Sequence, residues 1–213
     1  MKLMIGGIDE AGRGCIIGPM VIALTIINPM EEYKLKEIGV RDSKLLSKNK
    51  RKRLYFKIKK ICKIKKVKIP AQKINELMQE KNLNEIEAYY CAKLLDSTNC
   101  KKVYIDSPDP DPTKFEKRIR KYLKNNNIEI IAQNKADDIY PIVGAASIIA
   151  KYTRDKEIEI IKKEVGDFNS GYTSDPKTIE FLEKNLNEPK LQKYIRKKWI
   201  TLQKLKQKSI LDF

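Results

Sequence analysis

Ile5-Gly6-Gly7-Ile8-Asp9-Glu10-Ala11-Gly12-Arg13-Gly14 is the stretch on which the reading of this chain turns. An apolar run ends in two adjacent acids and opens directly into a Gly-Arg-Gly segment. A second β-branched, apolar stretch follows from Pro19 to Ile27. Two strands, Lys2–Asp9 and Pro19–Ile27, joined through a glycine-rich turn are therefore expected. Adjacent carboxylates at a strand end repel each other unless a cation lies between them and something bound. The bare backbone of Gly12-Arg13-Gly14 suits close approach to a phosphate or a sugar.

Outward from this turn, strands and helices alternate. Ser47 to Ile61 predicts a lysine-rich helix with Ser47 as its N-cap. Val67 to Ile69 alternates like a strand, and Ile74 to Leu95 reads as one or two helices. Lys102 to Asp106 is a short strand running into Ser107-Pro108-Asp109-Pro110-Asp111-Pro112, which proline keeps out of the helical region. Thr113–Leu123 predicts a helix, Ile128–Ala132 a strand and Tyr140–Lys163 a long helix. Gly166–Pro176 reads as a loop, with helices at Thr178–Asn185 and Leu191–Gln207. The alternation argues an α/β layered domain, and 213 residues suffice for one such domain with a modest appendage.

Composition narrows the chemistry. Forty-five Lys and Arg against 28 Asp and Glu give a net charge of +17. A surplus of that size fits a polyanionic partner, and equally the lysine-rich surface of a heat-adapted protein. Histidine is absent, which removes Ser-His-Asp and Cys-His nucleophiles and any histidine-ligated zinc. The cysteines (15, 62, 91 and 100) form no CxxC pair, so buried thiols are expected. Cys15–Ile27 is too short an apolar run to span a bilayer, and no secretory signal precedes it. The expectation is a soluble, cytoplasmic protein.

Asp9, Glu10 and Asp106 stand at strand C-termini, and Asp137-Asp138 stand between a strand and a helix. Ligand sites of α/β sheets form outside the carboxyl ends of strands. Converging carboxylates there would take hard divalent cations, Mg²⁺ or Mn²⁺ rather than zinc. Each aspartate taken singly also fits an ordinary cap or turn.

Gly7-Ile8-Asp9-Glu10-Ala11-Gly12-Arg13-Gly14 with Gly18-Pro19 resembles the opening signature of type 2 ribonuclease H, ribonuclease HII. The likeness continues through Asp42-Ser43-Lys44-Leu45-Leu46-Ser47, Tyr104-Ile105-Asp106, Lys135-Ala136-Asp137, Tyr140-Pro141, Ala145 to Lys151 and Gly171-Tyr172. The blocks stand in the family's order up to about Pro176, closest to its archaeal-type branch.

The resemblance implies a ribonuclease H-like mixed central sheet flanked by helices, with a small C-terminal helical appendage. It implies an endonuclease that cuts the RNA strand of RNA–DNA hybrids, and cuts 5′ to ribonucleotides embedded in duplex DNA. Two divalent ions would serve it, leaving 3′-OH and 5′-phosphate ends. By motif, Asp9, Glu10, Asp106 and Asp137 are the metal-binding catalytic carboxylates; Asp138 is left to cap the next helix. Gly12, Arg13 and Gly14 map to the element that contacts the 2′-OH and nearby phosphates, although a tight turn would also explain the glycines. Tyr172 maps to the tyrosine that stacks on the following sugar, and packing alone is the other reading. Lys44 maps to a phosphate contact, against a merely solvated lysine. Ser147 and Lys151 share a helix face at i, i+4, and Ser147 has its own helix backbone as an alternative partner. Gly144 departs from the family's usual serine.

The last residues, Gln207-x-x-Ile210-x-x-Phe213, resemble the motif by which replication and repair enzymes dock on a sliding clamp. Phe213 packing on its own domain is the alternative. The organisation expected is a catalytic domain over 1–170, a substrate-binding helical appendage over 171–206 and a tail over 207–213, in a monomer.

Overall fold

The structure, a computed structural model, describes residues 4–40, 46–125 and 127–211, with backbone alone over 208–211. Its five strands are β1 (Ile5–Ala11), β2 (Met20–Ile27), β3 (Lys63–Ile69), β4 (Lys102–Asp106) and β5 (Glu129–Gln133). They form one mixed sheet in the order β3-β2-β1-β4-β5. β1 runs antiparallel to β2 and parallel to β4, which runs parallel to β5. The helices are α1 (Tyr33–Glu37), α2 (Lys48–Ile61), α3 (Ala71–Leu77), α4 (Leu83–Asp96), α5 (Pro112–Tyr122), α6 (Ala136–Ile139), α7 (Pro141–Val165), α8 (Pro176–Asn185), α9 (Pro189–Gln192) and α10 (Ile200–Leu211).

The residues group into two compact units. One comprises Met1–Ala11, Val21–Val67 and Asn82–Tyr152; the other comprises Gly12–Met20, Lys68–Lys81 and Thr153–Phe213.

In the first unit, β2 is buried along its whole length, as an inner strand covered on both faces must be. Ser47 caps α2, its hydroxyl accepting from the Lys50 amide at 3.3 Å. Leu54 and Ile58, one turn apart, bury that helix in a core with Val21, Ala23, Ile148 and Ile149. The start of α7 lies directly on the sheet. A Cβ on Gly7 would stand 2.4 Å from the carbonyl carbon of Ile142, and the Thr25 hydroxyl donates to the Ile142 carbonyl at 2.7 Å. Gly144 has a similar reason: a side chain there would meet the Asp137 carbonyl oxygen at 3.1 Å.

The second unit has its own core of Ile16, Ile17, Phe168, Leu182, Leu191 and Ile195. Ile17 bridges Ile195, and the Arg196 amide donates to the Ile16 carbonyl at 2.9 Å.

Several expected spans shift. β3 begins at Lys63 rather than Val67, because it is an edge strand, where lysines on either face are tolerated and hide the alternation. The 74–95 span is two helices, the second capped by Asn82. The expected helix 191–207 is broken between Gln192 and Ile200. There the backbone leaves the helix so that Ile195 and Arg196 can pair with residues 16 and 17. Asp137 and Asp138 lie between β5 and the long helix α7, as expected, but inside a short helix of their own, α6.

Candidate active site

The parallel pairing of β1 with β4 sets Ile8 opposite Ile105. The next residue on each strand is an aspartate, so Asp9 and Asp106 emerge at the same end of the sheet. One carboxylate oxygen each from Asp9, Glu10 and Asp106 lies within 4.8 Å of the others. Asp9 is 5 % exposed and accepts from the Glu10 amide at 2.7 Å. Asp106 accepts from the Ala136 amide at 2.7 Å, which ties β4 to the start of α6. That start follows Lys135, whose φ of 57° is left-handed.

Burial pushes the Asp9 carboxyl well above its usual range, and the neighbouring Glu10 and Asp106 push it further. A hydrogen bond from Ser147 and the charge of Lys151 oppose the rise without cancelling it. Ser147 on α7 is thus bonded to a carboxylate, and Lys151, one turn on, acts on the same group through its charge. The donors of the cluster are all hard oxygens. That donor set fits Mg²⁺ or Mn²⁺. Asp137 is 8 % exposed and is not among the three clustered carboxylates; it is joined to Ala136, the residue whose amide Asp106 accepts.

The second unit carries Gly12-Arg13-Gly14. Gly12 has φ +82°, and a Cβ there would come 2.7 Å from the Pro19 carbonyl oxygen. The fold alone therefore demands glycine at 12. Gly14 is different: its φ is not positive, and a Cβ would only touch the Tyr172 ring at 3.8 Å.

Two buried arginines hold this turn. Arg196, fully buried, donates to the Arg13 carbonyl at 2.8 Å and to the Gly18 carbonyl at 3.1 Å. Burial pulls its guanidinium down to about 10. Arg154 donates to Cys15 Sγ at 3.0 Å and to the Ser170 carbonyl, and its guanidinium lies 4.7 Å from the Tyr172 ring centre. Cys15 pairs with Tyr172 as an isolated bridge. Burial and the Cys15 thiol push the Tyr172 phenol up to about 12, so it stays protonated near neutrality. Sequence reasoning missed both arginines. In a chain with 45 lysines and arginines nothing local marks these two as buried.

The loop bearing Tyr172 is tied by Asp175. Its carboxylate accepts from the Asn169 side chain at 2.8 Å, from the Ser170 amide at 3.0 Å and from the Ser170 hydroxyl, and it caps α8 through the Lys177 amide at 3.1 Å. Burial alone would raise its pKa, but the hydrogen bonds from Ser170, Lys177 and Thr178 prevail and hold it at about 2. This contribution to stability is complete above the unfolded value near 4 and is lost as pH falls through about 2. Asp175→Ala is expected to cost about 1–2 kcal/mol of stability at pH 7, measured by urea denaturation. An unchanged midpoint would remove Asp175 from this role.

Lys44 lies outside the described residues, as do Phe213 and the side chain of Ile210. Gln207 is exposed on α10. The four cysteines are buried free thiols. Among the described residues no helix is long and apolar enough to cross a membrane.

The family model for ribonuclease HII matches residues 6–202. The chain belongs to the ribonuclease HII family. It is 49 % identical over 207 residues to a ribonuclease HII of Methanococcus maripaludis strain C6, a match covering 95 % of this chain and 87 % of that one. It resembles the solved ribonuclease H2 of Pyrococcus horikoshii OT3 with a TM-score of 0.85 at 38 % identity, over 97 % and 98 % of the two chains. A chain in the structure of the PCNA–ribonuclease HII complex from Archaeoglobus fulgidus matches with TM-score 0.85 and 39 % identity, over 92 % and 95 %. The five-stranded mixed sheet with its helices is accordingly a ribonuclease H-like fold. As a member of the ribonuclease HII family the protein is a metal-dependent hydrolase, a ribonuclease H acting as an endonuclease.

Proposed function

We propose that the protein hydrolyses the RNA strand of RNA–DNA hybrids and cuts 5′ to single ribonucleotides in duplex DNA, leaving 3′-OH and 5′-phosphate ends. The observation that carries this reading is the convergence of Asp9, Glu10 and Asp106 within 4.8 Å around a carboxyl too buried and too crowded to ionise easily. These three, with Asp137 as a fourth, would hold two Mg²⁺ or Mn²⁺ ions. Bound there, such ions lower the pKa of a water and stabilise charge on the leaving oxygen.

The chain's own groups supply the rest. The Ser147 hydroxyl fixes the orientation of Asp9, and Lys151 supplies positive charge beside it. The backbone of Gly12, Arg13 and Gly14 reads the 2′-OH, the group that distinguishes RNA from DNA at one nucleotide. Gly14 supports this: nothing inside the fold requires a glycine there, whereas close approach of a ligand does. Tyr172, steadied by Arg154 and Cys15, stacks on the sugar after the ribonucleotide. Lys44 contacts a phosphate, and residues 171–206 form the substrate-binding appendage to a catalytic domain over 1–170. Gln207, Ile210 and Phe213 dock a sliding clamp, a reading supported by the clamp complex of the Archaeoglobus relative. The protein acts as a monomer.

The test offers an embedded-ribonucleotide duplex, a long hybrid, and all-DNA and all-RNA duplexes, each with Mg²⁺, Mn²⁺ or chelator. Cleavage of only the first two, abolished by chelator, is expected; comparable cleavage of all-DNA duplex would overturn the reading. In the same assay Tyr172→Ala is expected to lower kcat/KM on the embedded ribonucleotide about tenfold more than on the hybrid, the worth of about one lost stacking contact. Equal losses on both would remove the sensing role.

A further inference from the structure

The net charge is not spread evenly. Residues 46–67 hold eleven lysines and arginines and no acid, leaving a net +6 for the rest of the chain. Most of these fall on α2, where eight of fourteen residues are basic. Like charges one turn apart weaken an isolated helix by about 0.2–0.5 kcal/mol per pair, and Arg53 with Lys57 is one such pair. Among the described residues Lys52, Arg53, Lys57 and Lys60 have no carboxylate partner, and all four are exposed. At 100° per residue they share one outward face. The helix bears this repulsion because Leu54 and Ile58 anchor it from beneath.

The same face carries an aromatic. Phe56 is 49 % exposed and stands edge-on to Tyr55 at 5.4 Å. Tyr55 in turn lies on Tyr152 of α7 at 4.2 Å. Tyr152 directly follows Lys151, whose charge acts on Asp9. The basic face therefore belongs to the same unit as the carboxylate cluster and is seated on the helix that serves it.

We propose that the outward face of α2, around Lys52, Arg53, Phe56, Lys57 and Lys60, is a second nucleic-acid contact that grips the phosphate backbone of the duplex flanking the cleaved nucleotide. A lipid surface fits less well. An interfacial helix needs an apolar face free to insert, and here Leu54 and Ile58 are in the core. A polyanion without an apolar demand matches what the face offers, and each neutralised phosphate releases counterions. This inference rests on the nucleic-acid substrate of the proposed function.

The experiment compares the full chain with its Lys52→Gln/Arg53→Gln/Lys57→Gln/Lys60→Gln variant. Binding to a plain DNA duplex of about 30 base pairs is followed between 50 and 200 mM salt with chelator present, and embedded-ribonucleotide cleavage is measured alongside. Each lost phosphate contact flattens the slope of log affinity against log salt by about 0.9. The quadruple variant is expected to flatten it by about 2–4 and to raise KM at least tenfold with kcat unchanged. An unchanged slope overturns the proposal, as does an intact duplex affinity with lost binding to vesicles of anionic lipid. If the quadruple variant unfolds, each single variant is expected to flatten the slope by about 0.9, and none doing so has the same adverse meaning. A wild-type chain that binds duplex but cuts no ribonucleotide would sink the proposed function while leaving the slope test of this surface standing.

Discussion

Asp9→Asn is expected to lower kcat on an embedded-ribonucleotide duplex by about a thousandfold, while raising the thermal midpoint of the chelator-treated protein. The first effect follows if this position holds a metal, because several kcal/mol of charge stabilisation then depend on its negative oxygen. The second follows from the repulsion already in place. In the folded chain burial, Glu10 and Asp106 raise the Asp9 carboxyl well above its ordinary range. Between the unfolded value near 4 and the raised folded value, the folded state holds a proton that the unfolded state has released. Stability therefore falls as pH rises through that window. Asparagine keeps the oxygen that accepts from the Glu10 amide but carries no charge. The midpoint of the metal-free wild type should thus decline relative to Asp9→Asn from about pH 4 upward, and added Mn²⁺ should restore only the wild type. Melting curves from pH 4 to 8, with chelator and with metal, decide the matter. Parallel curves for the two proteins would mean that Asp9 is not under this strain, and full activity in the variant would remove it from the site.

Gly7→Ala is expected to destabilise the protein by about 3 kcal/mol, the upper end for forcing a methyl into packed structure. The added carbon would stand 2.4–2.6 Å from Ile142 C, Ile142 O and Val143 N. All three are backbone atoms at the start of α7 and cannot turn aside as a side chain would. Relief requires α7 to move off β1, and α7 carries Ser147 and Lys151. Activity should therefore fall in whatever fraction remains folded. Gly6→Ala is the control: its methyl would meet the Leu24 side chain at 3.0 Å and the Val103 side chain at 3.2 Å, where small rotations give room. Its expected cost is about 1 kcal/mol. Equal urea midpoints for the two variants would show that the backbone contact at Gly7 yields more readily than its distances imply.

The stretch from Ile5 to Gly14 was legible because it combines two local signals. An apolar run with β-branched residues makes a strand whatever surrounds it, and side-chain chemistry alone makes Asp9 and Glu10 oxygen donors. Ser47 as a cap and the helix it starts were legible for the same reason, since one hydroxyl and one amide three residues on decide it. β3 was cut short because its lysines are tolerated only at a sheet edge, and edge position is not a local property. The break between α9 and α10 is likewise unreadable locally, since Ile195 leaves the helix for a partner at Ile17, far away in sequence.

Within the candidate site the division is the same. The sequence by itself determined which residue types are present and which stretches form strands, and with them the acids able to take a divalent cation, although β1 runs past the expected end at Asp9 to Ala11. Only the tertiary structure decided that Asp9, Glu10 and Asp106 meet, that Ser147 reaches the Asp9 carboxylate, and that Arg154 and Arg196 are buried beneath the Gly12–Gly18 turn. The physical reason is range. Propensity and capping act over a few residues of chain, whereas burial and charge repulsion act between groups brought within a few ångströms by strand pairing.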